Sequence, residues 1–288
     1  MTVALVDLGS TTVVDEVRRA CEETGFLVLT GHGVDDALVV EIDAVSRTFF
    51  DLQLEEKLQL RDGELRPDRP IYRPVKSESL GATAGRARHG DLKESLDYGP
   101  TLPGVAWPER PCGLESAYRR YLAAMNELGT RLRRICALAL GYEEAFFEPL
   151  FDDDASSLRV INYPAVDVPP EEGQLRAGAH RDYGFLTILR SENVAGGLQV
   201  QTRAGEWTTV ETPPGSFVVN LGDMLAEWTE GRWVSTLHRV GLPPREAAGT
   251  RRQSLVFFHN PRADAYVEAL GVTAGDYILA KAAQAFGT

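Results

Sequence analysis

The sequence predicts a mainly β protein with α elements: a jelly-roll core, or double-stranded β-helix, with supporting N-terminal helices. Three observations carry that expectation. From Leu158 onward, short strand-like segments at 157–163, 184–190, 197–202, 206–211, 216–221, 234–240 and 252–258 are punctuated by Gly196-Gly197, Ala204-Gly205, Pro213-Pro214-Gly215 and Pro243-Pro244, the rhythm of an antiparallel jelly roll. Ahead of them, apolar residues recur at helical spacing. The length of 288 residues suits one barrel or sandwich with helices around it better than two unrelated cores. We therefore expect a single domain over 1–288, with an N-terminal region over 1–112 and the jelly-roll core over 157–262.

Val3 to Val6 is a short apolar strand. Val14, Val17 and Cys21 follow at helical spacing behind a Thr12-to-Asp15 capping box, and Gly25 is placed to end that helix. Phe26 to Leu29 is a buried strand. Gly31-His32-Gly33 is a turn, with His32 a turn residue rather than a ligand. Asp35 caps a helix whose core stripe is Leu38, Ile42, Val45 and Phe49.

Residues 60–112 lack clean periodicity and are rich in Pro, Gly and charge. A long irregular stretch in a compact domain is usually functional, and here it is expected to cover a pocket. Gly81 to Gly85 lacks the flanking strand and helix of a phosphate loop and reads as flexible. His89 reads as solvated beside Arg86, Arg88 and Asp91. Tyr118, Tyr121, Met125, Leu128, Leu132 and Ile135 then make one long helix over 114–140, ended by Gly141. Asp152-Asp153-Asp154 is read as a solvated loop. Thr273 with Asp276 caps a last helix running to about Phe286.

Composition narrows the function. A net charge of -12 argues against nucleic-acid and anionic-membrane partners, because both need a basic surface. Cys21, Cys112 and Cys136 are few, odd in number and not in C-x-x-C spacing, so they read as buried thiols in a reducing compartment. No apolar run reaches the length of a membrane span, and Met1 to Asp7 is not a signal peptide. The expectation is a cytoplasmic protein.

The chemistry gathers between His180 and Ser254. His180-Arg181-Asp182 places an imidazole and a carboxylate two residues apart, which in a strand share a face. A second imidazole, His238, completes a 2-His-1-carboxylate set suited to non-haem Fe(II), with positions left open for a bidentate co-substrate and O2. Arg252 and Ser254 share a face by the same period and offer a guanidinium fork and a hydroxyl to a carboxylate. A lone H-x-D is common and usually structural. The spaced set H-x-D, H and R-x-S is much more specific.

These residues resemble a known family. Ala20 to Phe26, Gly31-His32-Gly33, Phe49 to Leu52, Asp91-Leu92-Lys93-Glu94, Asn162-Tyr163-Pro164, His180-Arg181-Asp182, His238-Arg239-Val240 and Arg252-x-Ser254 are similar, nearly end to end, to the iron(II)/2-oxoglutarate-dependent dioxygenases of the isopenicillin N synthase-like group. The resemblance implies Fe(II) held by His180, Asp182 and His238, with 2-oxoglutarate as co-substrate and O2 as oxidant. It implies that Arg252 and Ser254 bind the distal carboxylate of 2-oxoglutarate and that Tyr163 adds a phenol hydrogen bond. Arg159 shares the Tyr163 strand face and is offered to an anionic substrate group, the alternative being an exposed, solvated arginine. Arg251 points the other way, to the surface, and His259 falls off the ligand face.

One departure stands out: Ile161 occupies the place of an asparagine that many plant members carry. Relatives also often continue past a C-terminal helix of this kind, so closure over the substrate is expected from 60–112 and 263–288. The function so implied is a non-haem Fe(II)/2-oxoglutarate-dependent oxygenase that hydroxylates or desaturates a small molecule in specialised or amino-acid metabolism. The alternatives are an Fe(II)-dependent oxidase of the same fold that uses no 2-oxoglutarate, and a non-catalytic jelly-roll binding protein. A zinc hydrolase is disfavoured because no H-E-x-x-H is present.

Overall fold

A computed structural model of the chain describes residues 3–85, 89–151, 156–165 and 170–286. Arg86, Arg88 and Asp152-Asp153-Asp154 lie outside the described residues. Strand β1 (Ala4–Asp7) pairs in parallel with β2 (Phe26–Thr30), and helix α1 (Val13–Glu23) is the crossover between them. The expected capping box at α1 does not form. Thr12 sits at φ -105°, ψ 11° rather than in the extended conformation of a cap, and its hydroxyl turns with that of Ser10 to the Glu16 carboxylate. Gly25 does end the helix, at φ 65°, with its N–H on the Ala20 carbonyl.

Helix α2 (Asp36–Phe50) is capped by Asp35, whose carboxylate accepts from the Ala37 N–H at 2.9 Å. Ile42 and Phe49 are buried as the pattern predicts. Their buried neighbours are Val39, Ser46 and Phe50, while Leu38 and Val45 are only partly covered. The stripe is turned by about one residue because Ser46 faces inward, donating to the Tyr118 hydroxyl at 3.1 Å.

The 60–112 stretch, which follows α3 (Leu54–Leu58), is more regular than its composition suggests. It holds β3 (Ile71–Arg73), a 3-10 turn over Leu80–Ala84, and β4 (Glu94–Tyr98), every residue of which is buried. The cause of the difference is physical. Glu94 and Asp97 are charged yet buried, Glu94 against Lys57 (2.8 Å) and Asp97 against Arg73 (2.6 Å), so the strand carries no apolar alternation. His89 is partly exposed, as expected, and lies 2.8 Å from the Glu171 carboxylate.

Helix α4 (Leu114–Leu140) matches its expected bounds and ends at Gly141, φ 86°. Its buried face of Tyr118, Tyr121, Met125, Leu128, Leu132 and Cys136 packs on α1, α2 and the outer face of the sheet. Each such large apolar side chain contributes about 1.5–3 kcal/mol on burial. Cys21 and Cys136 are buried as expected, but Cys112 is exposed, and all three thiols are free.

The remaining strands are β5 (Ser157–Tyr163), β6 (Ala177–His180), β7 (Leu186–Ser191), β8 (Leu198–Gln201), β9 (Trp207–Thr209), β10 (Phe217–Leu221), β11 (His238–Val240) and β12 (Arg252–His259). They form two facing antiparallel layers. The large sheet runs β1-β2-β10-β7-β12-β5-β4-β3 and the small one β6-β11-β8-β9. This is the jelly roll, its large sheet widened at both ends by N-terminal strands. The candidate strand at 234–240 shrinks to three residues because Val234 and Thr236 bond instead to Cys21 and Thr24 at the α1–β2 turn. Helix α5 (Asp223–Trp228) follows β10. After the short hairpin β13 (Tyr266–Val267) and β14 (Val272–Thr273), helix α6 (Ala274–Phe286) starts at the expected Thr273–Asp276 cap.

Candidate metal centre and cavity

Between the two sheets lies a cavity of about 610 Å³ that reaches from β12 to the inner side of α6. At its centre, His180, Asp182 and His238 converge, with one potential ligand atom from each lying within 4.8 Å of the others. The two histidines face one another across neighbouring strands, since β6 and β11 pair with His238 opposite His180. Asp182 is not on a strand. His180 is the last residue of β6, and Asp182 lies in the loop beyond it, so strand alternation does not place the carboxylate. The start of α5 does: the Asp223 N–H donates to the Asp182 carbonyl at 2.8 Å, and Met224 to that of Tyr183 at 3.2 Å.

Each of the three side chains is aimed by a second contact. His180 Nδ1–H donates to the Gly178 carbonyl at 2.7 Å and His238 Nδ1–H to the Thr236 carbonyl at 3.1 Å. Both rings therefore present a bare Nε2 to the centre. The Asp182 Oδ2 accepts from Thr187 Oγ1 (2.6 Å) and Asn220 Nδ2 (2.7 Å), leaving Oδ1 at 3.7 Å from each Nε2. Burial by itself would raise the Asp182 carboxyl. The imidazoles of His238 and His180 and the two donors outweigh it and hold the group ionised below the usual carboxylate range. Burial, then the neighbouring His238 ring, push His180 downward, so the ring stays neutral with its lone pair free. Two imidazole nitrogens and one carboxylate oxygen, their inward atoms not taken up by hydrogen bonds from the described residues, fit a divalent metal with sites left over.

At the β12 end of the cavity, Arg252 is fully buried opposite Tyr163 in the β5–β12 register, its guanidinium 4.9 Å above the Tyr163 ring. One nitrogen, Nη2, donates to Ser191 Oγ. The others, Nε and Nη1, have no partner among the described residues, and neither has Ser254 Oγ. A buried guanidinium with open donors is costly unless a ligand meets it. The donor set suits a carboxylate.

Arg159 is neither exposed nor free. It lies on the cavity wall with Nε and Nη2 on the Asp97 carboxylate (2.9 and 2.8 Å) and Nη1 on Glu78 (3.2 Å). Its burial opposes the charge, but Asp97 and Glu78 outweigh that and raise its pKa. Lys93, 2.6 Å from Glu78, completes a buried ion cluster; it belongs to the Asp91-to-Glu94 motif, but nothing in the sequence pairs it with Glu78. Arg251 is not free at the surface either, since it donates to Asn162 (2.6 Å) and Asp51 (2.5 Å). His259 lies away from the centre, bonded to Ser156 (3.0 Å) and Arg133 (3.2 Å), and His32 is spent on Gly215 (2.7 Å) and Val34 (3.1 Å). Thr187, Asn220, Ser191 and Tyr183 are site residues that sequence reasoning misses. No periodic signal marks them, because each acts through a contact set by the fold.

The profile of the 2OG-Fe(II) oxygenase superfamily matches residues 155–261, and that of the non-haem dioxygenase in morphine synthesis N-terminal region matches 3–121. A homoarginine-6-hydroxylase of Oryza sativa subsp. japonica is 34% identical over 273 residues, covering 89% of this chain and 80% of the relative. The validamycin A dioxygenase of Streptomyces hygroscopicus subsp. limoneus is 30% identical over 95% of this chain and 80% of its own length. Among solved structures, a full-length Neurospora crassa protein in complex with alpha-KG and thymine superposes with a TM-score of 0.83 at 26% identity, covering 98% of this chain and 96% of that one. The chain belongs to the 2OG-Fe(II) oxygenase superfamily: it is a non-haem dioxygenase that uses Fe(II), 2-oxoglutarate and O2 to oxidise a small molecule.

Proposed function

We propose that His180 Nε2, Asp182 Oδ1 and His238 Nε2 hold the Fe(II), and that Arg252, Ser254 and Tyr163 take the distal carboxylate of 2-oxoglutarate, within one domain spanning 1–288. The observation that carries this reading is the pairing of a bare three-atom metal face with open Arg252 and Ser254 donors in the same cavity. When bound, iron with 2-oxoglutarate and O2 supplies the oxidising power to break a substrate C–H bond, with CO2 and succinate released. The chain's own part is positional. Gly178 and Thr236 fix the imidazoles, Thr187 and Asn220 fix the carboxylate, and the Arg252 fork would orient the co-substrate through its distal carboxylate. Leu80, Ile161, Val256 and Phe258, with Ile278 from α6, make an apolar lining that excludes water.

The substrate we infer carries no negative charge at the group that meets the Glu78–Arg159 wall, because Arg159 is already neutralised by two carboxylates. Names of relatives and neighbours point to homoarginine and thymine as the first compounds to assay. A reducing, cytoplasmic setting without nucleic-acid partners fits three free thiols and a charge of -12, and among the described residues no helix is long and apolar enough to cross a membrane. The test is an anaerobic titration with Fe(II) and then 2-oxoglutarate, read as a metal-to-ligand charge-transfer band. Wild type should develop the band, whereas Asp182→Ala and His238→Ala, still folded, should not. A full band in either variant removes the assignment.

A further inference from the structure

Of the segment Asp91-Leu92-Lys93 just before β4, Lys93 joins the ion cluster of the cavity wall, whereas Asp91 does not line the cavity. Asp91 is 3% exposed, and each of its carboxylate oxygens is met by a backbone donor. Oδ1 accepts from the Gly178 N–H at 2.9 Å, and Oδ2 accepts from the Leu80 N–H at 3.1 Å. The ammonium of Lys93 stands 3.5 Å from the same carboxylate and 2.6 Å from Glu78 on the cavity wall. Gly178 is the residue whose carbonyl receives His180 Nδ1–H, and Leu80 opens the turn that enters the cavity. Strand and turn touch backbone to backbone here, for a Cβ on Gly178 would fall 2.5 Å from the Gly81 nitrogen. The Asp91 carboxylate is the clasp across that contact.

We infer that Asp91 is a positioning residue for the metal centre: it sets the Gly178 segment of β6 that aims the His180 ring, and it locks to that segment the Leu80 turn on the substrate side. This rests on reading His180 as an iron ligand. Burying a carboxylate is unfavourable unless its oxygens are satisfied. Here the satisfaction comes from two segments far apart in the chain, so removing the carboxylate releases both together. Groups that orient metal-ligating histidines matter to metal affinity and not only to stability. A mere loop anchor at this place would change stability and leave iron binding alone.

Two variants separate those cases. Asp91→Ala should weaken anaerobic Fe(II) binding about ten- to a hundredfold, the usual range for outer-shell partners. Lys57→Met breaks the buried Lys57–Glu94 pair (2.8 Å), which does not line the cavity. It should lower thermal stability yet leave Fe(II) affinity at the wild-type level. Wild-type Fe(II) affinity in folded Asp91→Ala overturns the inference. If Asp91→Ala does not fold, hydrogen exchange on the wild-type chain decides. Fe(II) should slow exchange at the Leu80 and Gly178 amides together with that of His180, and protection at His180 without change at Leu80 and Gly178 overturns it. A wild type that binds no Fe(II) at all removes the parent reading, which is a different outcome from a wild type that binds and an Asp91→Ala variant that binds equally well.

Discussion

Asp182 gives one oxygen to the cavity because the other is spent on Thr187 and Asn220. Without Asn220 the carboxylate gains a rotational freedom that iron must then remove. Asn220→Ala is accordingly expected to weaken Fe(II) binding about ten- to a hundredfold, measured by anaerobic titration, and unchanged affinity would show that Thr187 suffices. Arg252 makes a second residue-scale case. Lysine keeps the charge but loses the fork, so Arg252→Lys should raise the 2-oxoglutarate KM about ten- to a hundredfold, matching a charge-assisted contact of roughly 1.5–3 kcal/mol. Iron affinity should stay as it was, and a KM that does not move would assign the carboxylate elsewhere. His259 bears on pH. Burial, and then the Arg133 guanidinium, lower its pKa from 6.5 to about 3. A base depressed in the folded state protonates first in the unfolded chain, so its contribution is complete above pH about 6.5 and is lost as pH falls from there toward 3. The slope is at most about 1.4 kcal/mol per pH unit. Between those limits His259→Gln should flatten the fall of Tm with pH, and parallel curves would refute the role.

Elements differ in how far the sequence announces them, and the reason is the environment each one meets. Helix α4 is one-sided, core on one face and water on the other, so its period shows and its bounds of Leu114 and Leu140 come out as read. Strand β5 shows in the same way at 157–163. Strand β4 does not, because its buried faces carry Glu94 and Asp97 in ion pairs that only the folded chain brings together. The metal set is legible as residue types and spacing, yet strand alternation explains only half of it: β6 supplies His180, but Asp182 is fixed by the loop's bonds to α5. Helix α6 is legible from its cap, and its placement makes a prediction. Ile278, Leu279, Ala282 and Ala283 line the cavity, and α6 rests on the Leu80–Ala84 turn, with Lys281 tied to Asp223 at 3.0 Å. Truncation before Ala274 should preserve the Fe(II)/2-oxoglutarate charge-transfer band while raising the KM for the organic substrate at least tenfold. Loss of the band in a folded truncated chain would mean that α6 supports the metal centre itself.

At the scale of the whole molecule, the cavity gathers from both sheets polar groups that have no partner among the described residues. The large sheet brings Arg252 and Ser254 with open donors, and the small sheet brings two bare imidazole nitrogens. Between them stand Asp182 and the ion cluster of Glu78, Lys93, Asp97 and Arg159. The ion cluster is satisfied by its own pairs, but the metal face and the Arg252 and Ser254 donors oppose folding when empty and support it when a ligand meets them, so stability and cofactor binding are linked across both sheets. A ligand that binds only the folded chain adds about 2.7 kcal/mol when present at 100 times its dissociation constant. For a domain of this size each kcal/mol is worth about 2–4 °C in Tm. Fe(II) and 2-oxoglutarate together, each at 100 times its dissociation constant under anaerobic conditions, should therefore raise Tm by about 10–20 °C, and a chelator should reverse the shift. Fe(II) with Arg252→Lys should retain the metal's share and lose most of the increment due to 2-oxoglutarate. Asp182→Ala should lose both, because an ill-held metal cannot chelate the keto acid. A wild-type Tm indifferent to saturating Fe(II) and 2-oxoglutarate would mean that neither ligand meets these buried groups, and the open donors of Arg252 would then need another explanation.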